Sequence, residues 1–300
     1  MSCLWSKVNK DWMPEFDYTE TIEGIAPFRG SKYVQAIVGN AYKKTEEFLK
    51  LGREVLFSGT PCQVAGLKRF LRKEYDNLLI VDIICHGVPS PKVWNMYLEE
   101  TCTKLLRSVS GGKKYLLGDK YKFCIETVSF RSKISGWKRF SFLLKLNLPD
   151  NDGDNPIVLA ETLDKNCFMR AFLHDTILRP SCHSCPTKQG KSHSDISIAD
   201  YWGINHVDPE FDDDKGCGLI LLNTEKGCSA YNQLDLISKE NLFEEAIRYN
   251  SAYSRSSKPH PKRDVFFRII EKKGIHKSTY ICTNIPLYKR IIKRILRTIK

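Results

Sequence analysis

Residues 55–91 read VLFSGTPCQVAGLKRFLRKEYDNLLIVDIICHGVPSP, and this stretch decides the fold. Val55-Leu56-Phe57-Ser58 has the apolar character of a short buried strand. Gly59-Thr60-Pro61 turns the chain, and Cys62 opens a helical pattern with apolar positions at Val64, Leu67, Phe70 and Leu71. Leu78 to Ile84 is almost continuously apolar, as a strand buried on both faces is, and it stops at Cys85-His86-Gly87. Ser90 and Pro91 suit the cap and first turn of a helix carrying Trp94, Tyr97 and Leu98. Strand, helix, strand, helix at this spacing predicts a parallel βαβ core of the α/β class.

Outward from this core the pattern changes. Lys122 to Arg131 and Phe140 to Asn147 are strand-like and are joined by a loop with Gly136 and Trp137. A polar turn leads to Ile157–Ala160, so an antiparallel hairpin is expected as an insertion into the α/β body. Cys167–Leu173 reads as a helix, Pro180 as the start of a loop and Asp195–Ala199 as a strand. Leu219–Leu222 reads as another buried strand, and Leu234 to Ile247 as a helical stretch. No internal repeat and no long low-complexity linker interrupts the chain.

Composition narrows the function classes. The 300 residues carry +12, but 13 Lys and Arg against two acids lie from Lys258 onward, which leaves the rest near neutral. That divides the chain into a body, 1–257, and a basic extension, 258–300, and it argues against nucleic acid as a partner. Residues 285–300 place Ile291, Ile292, Ile295, Leu296 and Ile299 on one helical stripe and Lys289, Arg290, Lys293, Arg294 and Arg297 on the other. A basic C-terminal helix is therefore expected, able to make peripheral contact with an anionic membrane or to dock on protein. No run approaches the roughly 18 apolar residues of a spanning helix, and the first residues have no apolar signal core. A cytoplasmic location, with membrane association through the tail, is the expectation.

In a reducing compartment, clustered thiols among the 11 cysteines point to metal or redox chemistry rather than disulfides. Cys102, Cys124, Cys167, Cys217, Cys228 and Cys282 stand singly and read as small buried hydrophobes. Cys182-His-Ser-Cys185 is different: a CxxC loop between Pro180 and Pro186, with two sulfurs suited to one metal site. Cys62 and Cys85 each follow a buried strand and stand ahead of a helix. In a parallel sheet such strands end on one edge, so the two thiols are expected to converge there, with helix N-termini favouring the thiolate. Two edge cysteines and a CxxC supply the four ligands of a 4Fe-4S cluster. A structural zinc on the same four is the alternative; His86 and His183 flank the set without joining it.

Gly59-Thr60-Pro61-Cys62-Gln63 also exposes backbone N–H groups at a helix start, as an anion loop does, and Arg29-Gly30-Ser31-Lys32-Tyr33 adds two cations. A dinucleotide fingerprint of the G-x-G-x-x-G kind is absent. Asp200-Tyr201-Trp202-Gly203 ends a strand with a carboxylate and two aromatics, either a turn with core aromatics or a stacking surface for a flavin ring. Arg131 to Trp137 is either a solvated loop or a lid.

Taken in order, Arg29–Tyr33, Leu56–Lys68, Asp82–Pro91, Phe130–Trp137, Arg179–Cys185 and Asp195–Gly203 resemble the coenzyme F420 hydrogenase/dehydrogenase beta-subunit family. The resemblance runs from about Arg29 to Phe267. It implies an oxidoreductase subunit with FAD and a 4Fe-4S cluster on Cys62, Cys85, Cys182 and Cys185. Such a subunit passes electrons between an iron–sulfur or ferredoxin-like partner and a hydride carrier such as a deazaflavin. The FAD candidates are Lys32, Tyr33, Gly59, Thr60, Gln63 and Asp200. The ferredoxin-like cysteine run and the Gly-rich first strand of many members are missing, so an N-terminally shortened form is expected. Relatives of this form also resemble proteins of bacterial surface-polysaccharide gene clusters. The competing reading is a zinc- or cluster-stabilised scaffold that catalyses nothing.

Overall fold

The structure, a computed structural model, describes residues 2–110, 118–148 and 156–284. In chain order, β1 (Ser2–Val8), β2 (Pro14–Thr19) and α1 (Ala41–Lys50) precede β3 (Val55–Gly59), α2 (Pro61–Leu71), β4 (Leu78–Ile83) and α3 (Pro91–Ser110). Next come β5 (Ile125–Ser132), β6 (Ser141–Leu146), β7 (Ile157–Thr162) and α4 (Cys167–Leu173). β8 (Ile196–Asp200), α5 (Ile204–Val207), β9 (Gly218–Leu222), α6 (Glu225–Tyr231), α7 (Phe243–Arg248) and α8 (Arg263–Thr283) complete it.

The predicted βαβ core is the centre of a six-stranded sheet ordered β2-β1-β3-β4-β8-β9. β1, β3, β4 and β8 run parallel, and β2 and β9 close the edges antiparallel. Local chemistry starts α2 where the sequence places it. Thr60 is extended, Pro61 sits in the first turn, and the Gln63 side chain returns to accept from the Thr60 N–H at 2.8 Å. Val64, Leu67 and Leu71 of α2 then bury against Phe57 and Ile80 of the sheet. Asp195 ties the far side together: its carboxylate accepts the Ile80 N–H and the Thr224 hydroxyl, at 2.8 and 2.7 Å.

The expected hairpin is a three-stranded antiparallel sheet, because Ile157–Thr162 pairs along the whole of β6 as a third strand. One face of this sheet builds the largest core with α3, α4 and α8, around Trp94, Tyr97, Phe142, Phe168 and Phe266.

The helix expected over Leu234 to Ile247 is not formed. Only α7 is helical there, and residues 235–242 have no regular structure, with Leu234, Leu236, Ile237 and Leu242 exposed. The apolar spacing meets no surface to bury against, and a helix is held mainly by such packing.

The boundary drawn at 257/258 follows charge, not packing. α8 begins beyond it and contributes Phe266, Ile270, Ile275 and Cys282 to the largest core. It breaks at Gly274, whose φ of 72° belongs to the left-handed region, and Glu100 caps the second half by accepting the Ile275 N–H at 2.7 Å. The predicted tail helix, 285–300, lies outside the described residues. Among the described residues no helix is long and apolar enough to cross a membrane. Of the six single cysteines, Cys102, Cys124, Cys167 and Cys282 are buried, whereas Cys217 and Cys228 are only half-buried.

Candidate functional site: a cysteine-walled cavity

β3, β4 and β8 deliver their C-terminal ends to one edge of the sheet. There the start of α2, the loop after β4, the turn at Pro180–Ser184 and a turn at residues 252–253 enclose a cavity of about 190 Å³. Cys62, Cys85, Cys182 and Cys185 all line it, with Thr60, Asp82, Arg179, Lys188 and Tyr253. The segments approach closely. Gly87, at φ 147°, would with a Cβ stand 3.3 Å from the Cys182 Cβ and 2.9 Å from Leu178, so only glycine lets the Cys85 loop lie against the Cys182 turn.

The sulfurs do not share one environment. Cys62 sits in the first turn of α2; Thr60 Oγ1 lies 3.3 Å from its sulfur and Arg179 Nη2 donates to it at 3.6 Å. Cys185 is held through its N–H, which donates to Ser256 Oγ at 2.9 Å, with Thr187 Oγ1 3.3 Å from its sulfur. Cys85 departs from expectation. It lies in the loop between β4 and α3, six residues ahead of Pro91, so no helix dipole favours its thiolate. Burial pushes its thiol up to about 12, Cys62 and Cys182 push the same way, and the Lys188 ammonium and the Gly87 N–H oppose them.

Two cations offset this concentration of thiols. Burial lowers the Arg179 guanidinium, but the sulfurs of Cys62 and Cys182 outweigh it and leave it raised. Lys188 Nζ donates to the carbonyls of Cys85 and Ala252, both at 2.6 Å. Neither residue was singled out by sequence reasoning. The one available signal for Arg179 is its place directly before Pro180-Ser-Cys182. Lys188 reads as part of a polar loop, and nothing local assigns it a role.

Asp82, 3 % exposed, is the acid of the cavity. Burial raises its carboxyl, while the hydroxyls of Ser192, Ser197 and Ser194 pull it back, Ser192 donating at 2.5 Å. The folded chain thus holds this proton more tightly than the unfolded one. The stabilisation is complete below the ordinary carboxylate range and is lost as pH rises through the raised folded value. Asp82→Asn, neutral at every pH, is expected to gain stability relative to the parent as pH rises from the ordinary carboxylate value, about 4, through the raised folded one; parallel urea-midpoint profiles for the two proteins would contradict this.

The flavin candidates do not assemble here. Thr60 alone of the six lines the cavity. Gly59 ends β3, and the Gln63 amide oxygen accepts from both the N–H and the hydroxyl of Thr60. Lys32 Nζ donates to the carbonyls of Phe28, Arg29 and Gly30, and burial brings its ammonium down to about 8. Tyr33 stacks on Phe172, with ring centroids 4.7 Å apart. Asp200 accepts from Arg131 and, at 3.2 Å, from Trp137 Nε1. Trp137 and Trp202 stack at 5.3 Å and 4°, so the two segments read separately from sequence meet each other.

The cysteine set does fit an iron–sulfur group: four thiols from three segments, around an enclosed space, with cations behind them. Among the described residues no three His, Cys, Asp or Glu side chains stand close enough to hold one metal ion. A single tetrahedral zinc needs sulfurs roughly 3.8 Å apart, from a Zn–S bond of about 2.3 Å, whereas a cluster takes each sulfur on a different iron. Arg179→Gln would remove the donor to Cys62, and loss of such an outer partner weakens metal sites by about 10–100-fold. Iron retained against a chelator is expected to fall accordingly; unchanged retention would leave Arg179 no part in the site.

An α/β chain with this cysteine-walled cavity at the C-terminal edge of its parallel strands has the makings of a redox subunit. The family model for the C terminus of the coenzyme F420 hydrogenase/dehydrogenase beta subunit matches residues 52–242, and the chain belongs to that family. The matched model describes the C-terminal part of such beta subunits. Among solved structures the chain is similar to one in the F420-reducing [NiFe] hydrogenase complex from Methanosarcina barkeri, studied by xenon derivatisation. That match has 14 % identity and a TM-score of 0.43, and it covers 77 % of this chain and 65 % of that one. No curated protein matches the chain.

Proposed function

We propose that the chain is the iron–sulfur subunit of an oxidoreductase, holding one 4Fe-4S cluster on Cys62, Cys85, Cys182 and Cys185. The observation that carries this reading is that four cysteines from three separate segments line one cavity. A cluster there supplies single electrons. The chain's own residues do the rest: the four thiols ligate, Arg179 and Lys188 offset their negative charge, and Gly87 lets the two cysteine loops close.

The reading extends to FAD, to a hydride carrier of the deazaflavin type as acceptor, and to an iron–sulfur or ferredoxin-like partner chain. Family membership supports these. Work in the reducing cytoplasm and a place in surface-polysaccharide synthesis complete the proposal. Anaerobic purification tests it. A brown protein with about four irons per chain is expected, with FAD retained through gel filtration when a partner chain completes its site. A colourless protein with one zinc would replace the electron-transfer reading with that of a scaffold.

A further inference from the structure

A second feature of the chain is unrelated to the cavity. Leu234, Leu236, Ile237, Leu242 and Phe243 are all exposed within ten residues, Ile237 to 94 %. Isolated exposed apolar residues are ordinary, but a contiguous group rimmed by charge marks a contact surface. The charge here is mostly of one sign: residues 234–245 hold the four acids Asp235, Glu240, Glu244 and Glu245 against Lys239, in a chain of net +12. Asp235, Glu240 and Glu244 are exposed beside the apolar residues, and Lys239 is paired with Asp208.

The same sequence contains the complement. Residues 285–300 carry six Lys and Arg and no acid, interleaved with five aliphatic residues at helical spacing. Near the start of this tail Lys262 Nζ donates to the Ile281 carbonyl, and at the patch the Phe243 ring meets that of Tyr253 edge-on. The nine steps from Tyr253 to Lys262 span at most about 32 Å, and a tail with 285–288 extended (up to about 14 Å) and 289–300 helical (about 18 Å) covers the same length. Reach therefore sets no obstacle.

We propose that the acidic apolar surface at 234–243 is the docking site of the chain's own basic tail, 285–300. The tail's aliphatic stripe covers Leu236, Ile237 and Leu242, and its cations face Asp235, Glu240, Glu244 and Glu245. Helix-in-groove binding of this kind draws its affinity from the apolar anchors and its orientation from the charges. A tail held this way has its basic face turned toward acids and is withheld from anionic lipid.

Zero-length carbodiimide cross-linking of the full chain, followed by peptide mass spectrometry, tests the docking. Links from Lys289 or Lys293 to Asp235, Glu240, Glu244 or Glu245 are expected. They should drop at least tenfold in Leu236→Ser/Ile237→Ser, whose altered side chains are exposed, so folding is not at stake. A second measurement is sedimentation with mixed phosphatidylserine–phosphatidylcholine vesicles, where the double variant is expected to bring down several-fold more protein than the parent because its tail is released. Absence of these links, equal link yield in the variant, or equal vesicle binding by both proteins would overturn the proposal. The result is independent of whether the cavity holds iron.

Discussion

Cys85→Ser is expected to leave the chain folded and nearly free of iron. Cys85 stands in a loop between β4 and α3, so no helix or strand depends on its side chain. Its sulfur nonetheless belongs to the cavity: burial raises its proton affinity most, Cys62 and Cys182 act the same way, and Lys188 opposes them. A serine hydroxyl is a poor iron ligand, and a cluster that loses one of four protein ligands is labile. The loss should exceed the about 10–100-fold that follows removal of an outer partner. Cys228→Ser is the matched control, a half-buried cysteine on α6 that does not line the cavity, and it should keep the parent's iron. Iron analysis with far-ultraviolet circular dichroism on the three proteins separates ligand loss from unfolding. Equal iron in Cys85→Ser and the parent would remove Cys85 from the ligand set.

Trp94→Ala is expected to cost about 3–5 kcal/mol, the range for truncating a large buried aromatic. Trp94 is 1 % exposed and packs against Tyr97, Phe130, Phe142 and Phe168, with ring centroids 4.9 to 6.3 Å away. Its indole N–H donates to the Trp12 carbonyl at 2.8 Å, so the substitution also leaves that acceptor without its donor. Domains of this size are stable by only about 5–15 kcal/mol, so the change approaches the margin of folding. Urea unfolding should show a lower midpoint with an unchanged slope. A cost under about 1 kcal/mol would mean that the aromatic cluster does not hold α3 to the three-stranded sheet.

The parts of the fold legible in the sequence are those specified locally. β3, α2 and β4 announce themselves because Thr60-Pro61 caps a helix between two apolar runs, and each signal lies within a few residues of what it controls. β1 gave no such signal. Ser6 and Lys7 interrupt its apolar character, and it is a strand because β2 and β3 pair with it on either side. The same dependence on distant partners explains β7, whose short apolar run becomes a strand by pairing with β6. It also explains the failure over Leu234 to Ile247, where helical spacing met no surface.

The site divides likewise. Four cysteines were readable from CxxC spacing and from the rule that parallel strands end on one edge. The charge balance was not: Arg179 and Lys188 come from a turn and a loop whose positions the sequence does not fix. Cys85 gains nothing from a helix dipole, because a loop of several residues separates the end of β4 from α3.

The most direct measurement is the position of iron by anomalous scattering from crystals of anaerobically prepared protein. The account predicts a compact group of iron peaks inside the cavity at the sheet edge, within bonding distance of Cys62, Cys85, Cys182 and Cys185. Iron bound elsewhere, or one zinc peak ligated by only part of the set, would contradict it.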